Sequence, residues 1–241
     1  MMLIPLTQGK AALVDDERKR GSKMVNYIGI GAYTLQEAAL YGSLSSNKLS
    51  RWAWGMGVYP PVIEAQLRNE KLISFYDLVQ AMAIDKARAY VPLPKIRQAI
   101  EYAKKKYGVQ LPLAYKHELW FFDNDLHIKF PNDTVVQVSG KQKGQTAIEL
   151  IVEPYKKDLT FDTAGFVQSY MPFTKFGRDI VLDPKKQFGQ PLVGDTGYRA
   201  DVLDNAFVAE KSVDSVASIY GVDVRDVKVA VAYMDKIRNA A

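Results

Sequence analysis

The 241-residue chain contains no cysteine and only two histidines. The absence of cysteine excludes disulfide bonds, cysteine-ligated zinc, iron–sulfur clusters and catalysis by a thiol. Long apolar runs are also missing, since the longest stretch without Asp, Glu, Lys or Arg covers residues 24–36. A helix that crosses a bilayer needs about 20 apolar residues. We therefore expect a cytoplasmic protein that has no cofactor and does not enter a membrane.

Hydrophobic residues make up 48% of the chain, which is typical of packed globular domains. The charge is unevenly distributed. Residues 1–107 contain 16 Lys and Arg against 9 Asp and Glu, whereas residues 108–241 contain 16 against 18. The basic excess therefore lies in the N-terminal half. This asymmetry is consistent with a polyanion-binding module joined to a neutral or acidic module, and equally with a solvated basic surface.

The N-terminal half is predicted to be helical. The segment from Thr34 to Glu37 has the form of a capping box, in which each side chain accepts a hydrogen bond from the other residue's backbone amide. Helical spacing of apolar residues and turn signals predict four helices, over residues 35–41, 45 or 46 to about 54, 75–88 and 94–107. The first two form a helix–turn–helix. Residues 55–63 contain glycines and two prolines, and suit a short β-wing or an extended connection.

The second helix of this helix–turn–helix is the candidate DNA-binding element. Leu49 and Trp52 are three residues apart and are predicted to face the core, which leaves the polar residues elsewhere on the helix. In helix–turn–helix proteins the second helix enters the major groove, where Asn, Lys and Arg reach base edges or phosphates. The alternative is a solvated helix face. The candidate DNA-binding residues are Ser45, Ser46, Asn47, Lys48, Ser50 and Arg51.

The middle of the chain is predicted to be rich in β-structure, and the C-terminal third helical. Aromatic and β-branched residues on both sides of 123–125 indicate a hairpin, residues 135–138 a further strand, and residues 145–155 a helix. After a strand at 180–182 and a loop at 189–197, three helices are predicted over residues 200–208, 213–220 and 224–237. The last two have helix–turn–helix spacing, but Asp223 and Asp226 would repel a phosphate backbone. We therefore expect this unit to contact a protein.

These elements together predict a mainly α fold with a small β-rich middle, an α+β class. Four segments are predicted: a leader or linker at 1–26, a winged helix–turn–helix domain at 27–107, a hairpin-containing connector at 108–178 and a three-helix domain at 179–241.

Two sets of segments resemble known families. The segments YTLQEAA, SSNKLSRW, ISFYDLV and VPLPKIRQAI, at residues 33–39, 45–52, 73–79 and 91–100, resemble the MerR-type winged helix. The segments DPKKQFGQPLV and SVDSVASIYG, at residues 183–193 and 212–221, are similar to the small VapB-like antitoxin domain. Proteins with both parts in this order resemble antitoxins that are paired with PIN-type ribonuclease toxins.

The resemblance implies a non-enzymatic antitoxin that binds double-stranded DNA at its own promoter, neutralises a PIN-like toxin and forms a homodimer. The predicted wing at 56–61 departs from the pattern because it lacks a basic tip, and the metal-binding cysteines of MerR sensors are absent. Two alternatives remain: a non-catalytic adaptor that binds an acidic protein, and a stand-alone MerR-like transcriptional regulator.

The resemblance also suggests where the toxin binds. A PIN-type ribonuclease holds its metal with clustered carboxylates, so an inhibitor gains by placing a cation there. Aromatic and arginine side chains commonly dominate the energy of such interfaces. The alternative is that the lysines are ordinary surface residues and Phe188 belongs to the core. The candidate toxin-binding residues are Lys185, Lys186, Phe188, Tyr198 and Arg199.

Enzymatic and metal-binding signals are weak. His117 and His127 flank the predicted hairpin with Asp123 and Asp125, but no further histidine or cysteine supports a tetrahedral site. No nucleophile-elbow motif is found, and the glycine pairs lack the third glycine of a dinucleotide-binding loop. We expect neither a metal site nor an enzyme.

Overall fold

The computed structural model describes residues 29–115, 118–122, 125–129, 136–137 and 156–240. Within residues 29–115, four helices are described: α1 (Leu35–Tyr41), α2 (Ser46–Trp54), α3 (Phe75–Ala87) and α4 (Leu93–Tyr107). All four were predicted, with boundaries that differ by at most one residue. No helix in the described ranges is long and apolar enough to span a membrane.

Capping boxes begin α1 and α3. The amide of Glu37 donates to the Thr34 hydroxyl over 3.2 Å, and the Thr34 amide donates back to the Glu37 carboxylate over 2.8 Å. Ser74 and Asp77 repeat this arrangement in the buried interior, with both distances 3.0 Å. Burial raises the pKa of Asp77, against the lowering effect of its hydrogen bonds from Ser74 and Gln66. The two hydrogen bonds between Thr34 and Glu37 confirm the predicted capping box of α1.

The α1–α2 pair packs as the sequence predicts. Leu49 and Trp52 of α2 are buried together with Ala38 and Ala39 of α1. After α2, the backbones of Met56 and Tyr59 exchange hydrogen bonds of 2.9 and 3.0 Å, which closes a two-residue turn. This turn lies where the sequence predicts a wing or an extended connection.

The middle of the chain forms a three-stranded antiparallel sheet in the order β1 (Glu118–Phe122), β2 (Asp125–Lys129) and β3 (Val136–Gln137). Phe122 and Asp125 are paired at the end of the β1–β2 ladder, so the predicted hairpin is confirmed. The helix predicted over residues 145–155 lies outside the described residues.

A second antiparallel sheet contains four strands in sequence order: β4 (Leu159–Phe161), β5 (Val167–Lys175), β6 (Arg178–Leu182) and β7 (Leu192–Val193). Phe176 and Gly177, both with positive φ, connect β5 to β6, as in the type I′ turns that favour hairpins. The sequence predicts only the last three residues of β6, and it predicts a loop where β7 lies. The predicted boundary between residues 178 and 179 falls inside β6.

Three helices complete the described chain: α5 (Ala200–Glu210), α6 (Val213–Tyr220) and α7 (Val224–Ala240). The three predicted C-terminal helices are therefore confirmed, and two of them extend further than expected. Gly221 ends α6 with a φ of 65°, a left-handed conformation that glycine adopts without steric cost. The fold is thus α+β, with helices at both ends and antiparallel sheets between them.

The four-stranded sheet contributes to both hydrophobic cores. A first core, built on α1–α4, also buries Leu159, Tyr170 and Leu182 of this sheet. A second core, built on α5–α7, buries Ile180 and Val193. Burial raises the pKa of Tyr170 to about 12. Because β6 supplies residues to both cores, the N-terminal and C-terminal helices are joined through one sheet.

A short turn at residues 187–189 joins the segment before α1 to the C-terminal part. The fully buried Tyr33 donates its hydroxyl hydrogen to the Gly189 carbonyl over 2.9 Å. The Ala32 amide donates to the Phe188 carbonyl over 3.2 Å. Gln187, Phe188 and Gly189 have φ values of 45°, 57° and 81°, so three successive residues occupy the left-handed region. We call this segment the 187–189 turn.

Candidate functional site

The outer surface of α2 carries most of the candidate DNA-binding residues. Ser45, Ser46, Asn47, Lys48 and Arg51 are exposed, whereas Ser50 is half-buried. Ser45 occupies the N-cap position, but its side chain makes no capping hydrogen bond. The polar surface is therefore accessible at the N-terminal end of α2, which is the end that enters the groove in helix–turn–helix proteins.

The two cations of this surface differ in their partners. Lys48 Nζ lies 3.0 Å from Asp85 Oδ1 on α3. The side chain of Arg51 makes no hydrogen bond or ion pair within the described part of the chain. An exposed ion pair contributes little stability, up to about 1 kcal/mol, and a polyanion can displace it. Of the two cations, Arg51 has all its side-chain N–H donors free within the described chain. Lys48 must first break its ion pair with Asp85 before it can bind a ligand.

Next to α2 lies a groove of about 720 Å³, between α2, the Met56–Tyr59 turn and the start of α4. Four cationic residues line it: Lys48, Arg51, Arg88 and Arg97. Among the described residues, Asp85 is the one acidic residue in its lining. We call this feature the basic groove. The sequence did not indicate that Arg88, Arg97 and Tyr59 belong to this site, because no local pattern distinguishes them from other helix or loop residues.

Two of the arginines in the basic groove are fixed by backbone carbonyls. Arg88 donates from Nη1 to the Val91 carbonyl over 2.9 Å, and Arg97 donates from Nη2 to the Pro60 carbonyl over 2.6 Å. The second contact joins α4 to the residue that follows the Met56–Tyr59 turn. The guanidinium groups are therefore held in place, and each retains further N–H donors.

The candidate toxin-binding residues divide into exposed and packed groups. The side chain of Phe188 is 53% exposed, so the alternative that it belongs to the core is wrong. Phe188 and Arg199 line one cavity of about 430 Å³, together with Glu37 of α1. Arg199 forms a two-point ion pair with Asp201, over 3.0 and 2.5 Å.

The other three candidates have different surroundings. Lys185 and Lys186 are exposed, and Lys186 Nζ lies 3.9 Å from the fully exposed Asp195, a contact that contributes little. The ring of Tyr198 packs edge-on against Tyr220, with the centroids 5.2 Å apart, at the margin of the second core. The structure therefore brings Phe188 and Arg199 together and gives Tyr198 a packing role.

The acidic residues at the start of α7 are satisfied within the chain. Arg178 Nε donates to the buried Asp226 over 2.6 Å, and Arg225 Nη2 donates to Asp223 over 2.8 Å. The Arg225 guanidinium holds the pKa of Asp223 well below its usual range. Each of these carboxylates is therefore paired with an arginine, and the expectation that this unit contacts a protein stays a prediction.

Of the residues considered for a metal site, His117 and Asp123 lie outside the described residues, and so do the side chains of His127 and Asp125. Within the described ranges, no group of three or more His, Asp or Glu residues is arranged to hold a metal ion.

Two known proteins that resemble the chain share less than 30% sequence identity with it. No protein-family model matches it. The chain is 28% identical over 228 residues to a Mycobacterium tuberculosis protein named "Putative antitoxin VapB45", with 83% of this chain and 93% of the relative covered. Its fold is similar to that in the X-ray crystal structure of Rv2018 from Mycobacterium tuberculosis, with a TM-score of 0.57 and 19% sequence identity. That likeness covers 83% of this chain and 96% of the Rv2018 chain, and it concerns the fold alone.

Proposed function

We propose that the chain is an antitoxin that binds its own promoter, neutralises a PIN-like ribonuclease toxin and acts as a homodimer. The observation that carries the proposal is the similarity to a relative named as an antitoxin, which extends over 93% of that relative. Two surfaces of the chain support it. The α2 surface presents Asn47, Lys48 and Arg51 to solvent, and the 187–189 turn presents Phe188.

The α2 surface suits a DNA contact for physical reasons. Arg51 has five N–H donors and no internal partner in the described chain, so a contact with a phosphate or guanine breaks no existing ion pair. Asn47 lies one turn before Arg51 and faces solvent, as a residue that hydrogen-bonds adenine must. Leu49 and Trp52 fix the helix from the opposite side.

We expect Lys48→Ala combined with Arg51→Ala to weaken binding to the protein's own promoter at least about tenfold, or 1.4 kcal/mol. The physical reason is the loss of two cations next to the phosphate backbone. Binding would be measured by gel-shift titration at moderate salt. The matched control is Lys86→Ala with Lys71→Ala, which removes the same charge from exposed residues outside α2.

Equal loss of affinity in the α2 variant and the control would show that only net charge matters, and would contradict the assignment of α2. Asp85→Asn provides an independent check. It releases Lys48 from its ion pair, so promoter affinity should rise. If the wild-type chain binds the toxin but does not bind the promoter, the result would instead identify the chain as an adaptor.

We expect Phe188→Ala combined with Arg199→Glu to abolish capture of the toxin while promoter binding is kept. Phe188 is an exposed aromatic residue on an anchored turn, and such residues often dominate the energy of an interface. The measurement is co-purification after co-expression with a PIN-like ribonuclease encoded beside it. The control is Ile219→Ala with Lys211→Glu, which alters another exposed apolar residue and another exposed cation. Full neutralisation by the Phe188 variant, with an unchanged circular dichroism spectrum, would place the interface elsewhere.

A further inference from the structure

We propose that the basic groove is a binding site for a small amphipathic anion, that is, a molecule with one aromatic ring and a phosphate, sulfonate or carboxylate group. The groove has a volume of about 720 Å³, and small-molecule sites commonly measure about 300–1,000 Å³. Binding of such an anion does not depend on the proposed antitoxin function. Its effect on promoter binding, discussed below, does rest on that function.

The charge of the groove selects an anion. Four cations face one carboxylate, and that carboxylate is already paired with Lys48. Arg51 is free within the described chain, while the backbone carbonyls that hold Arg88 and Arg97 orient their remaining donors. The Nε atom of Arg97 is buried and has no hydrogen-bond partner. An arginine cluster of this kind binds a planar or tetrahedral anion through charge-assisted hydrogen bonds.

The walls of the groove select an aromatic ring. Trp52, Met56, Tyr59 and Leu93 form apolar parts of the lining. Tyr59 is 63% exposed and Met56 is 55% exposed, so large apolar side chains stand uncovered beside the arginines. A fully hydrated inorganic ion leaves these surfaces in water, whereas an aromatic group covers them. Removal of this apolar surface from water favours binding of the aromatic group.

The position of the groove connects such a ligand to DNA. Lys48 and Arg51 line the groove and also belong to the α2 surface proposed to contact the promoter. An anion bound between them neutralises both cations where a phosphate backbone would otherwise approach. The ligand and the duplex therefore compete, and a bound ligand lowers promoter affinity.

The test uses the full chain and the probe anilinonaphthalene sulfonate, an aromatic sulfonate whose fluorescence rises in apolar surroundings. We expect saturable binding with one site. Arg51→Gln and Arg88→Gln should each weaken it by about fivefold, because each removes one charge-assisted contact. Lys86→Gln, an exposed residue outside the groove, should leave it unchanged. Arg51 has no structural partner in the described chain, so its substitution keeps the test valid even if Arg88→Gln disturbs folding.

Competition identifies the ligand class. Phenyl phosphate should displace the probe at a concentration at least about tenfold lower than inorganic phosphate does. Equal displacement by both, unsaturable probe binding, or probe binding that is unchanged in Arg51→Gln would each overturn the proposal. These measurements contain no DNA, so their outcome does not depend on whether the chain binds its promoter. In a gel shift with the promoter, phenyl phosphate should release the bound fragment at the concentrations that displace the probe.

Discussion

Gly189→Ala is expected to destabilise the folded chain by about 3 kcal/mol, the largest effect that we expect of a single methyl group here. An added Cβ would overlap the phenolic oxygen of Tyr33 and lie 3.1 Å from its Cζ atom. Tyr33 is fully buried and cannot withdraw without opening the first core. The φ of 81° at Gly189 adds backbone strain for any residue with a side chain.

Gly197→Ala is the matched control. Gly197 has a similar φ of 77°, but no atom lies within 4 Å of its added Cβ. The difference between the two variants in urea unfolding therefore measures the overlap with Tyr33 alone. Tyr33→Phe removes the overlapping oxygen, so the cost of Gly189→Ala should be smaller in that background. Equal unfolding free energies for Gly189→Ala and Gly197→Ala would show that the 187–189 turn moves away freely.

Arg238→Ala is expected to cost about 2 kcal/mol, less than the 3–5 kcal/mol of a fully buried pair because Arg238 is half-exposed. Arg238 joins the end of α7 to α5 through two hydrogen bonds, of 2.6 and 3.2 Å, to the carboxylate of Asp204. The side chain of Asp204 is only 2% exposed. Loss of the guanidinium leaves a charged group inside the second core without its partner.

Two further variants separate this explanation from a general loss of helix stability. Lys228→Ala removes an exposed cation from the same helix and should change the unfolding free energy by less than about 0.5 kcal/mol. Asp204→Asn in the Arg238→Ala background removes the buried charge, so it should recover part of the loss. An unaltered or lower stability of that double variant would contradict the role assigned to the ion pair.

The helices were predictable because their signals lie within a few residues of each other. The capping box at Thr34 and Glu37, and the apolar spacing of Leu49 and Trp52, depend only on neighbours along the chain. Gly221 likewise marks the end of α6 without reference to any other element. Where such local signals exist, the predicted and observed boundaries agree closely at both ends of the chain.

The four-stranded sheet was mostly missed because its pairing is not local. β7 contains only two residues, too few to show an alternating pattern, and residues 183–191 separate it from its partner β6. The pairing of β5 with β6 is irregular between Tyr170 and Phe173, where Pro172 lacks an amide hydrogen. The contact of Tyr33 with Gly189 joins residues 156 positions apart, so no sequence window contains both.

In the candidate site, too, local patterns predicted some features, whereas others depend on how the helices pack. Helical periodicity predicted that Lys48 and Arg51 point away from the core, and both are exposed. It did not indicate that Asp85, 37 residues further along, pairs with Lys48 and leaves Arg51 free. The position of Arg88 and Arg97 beside α2 also depends on how α3 and α4 pack, which the sequence pattern does not specify.

The sharing of β6 between the two cores affects how mutational data on this chain should be interpreted. Leu182 belongs to the first core and Ile180 to the second, and they are separated by one residue of the same strand. A substitution that weakens either core is therefore expected to lower the population of both proposed binding surfaces at once. In a screen for the proposed promoter and toxin binding, variants that lose both together report on folding. Only variants that separate the two activities locate a binding surface.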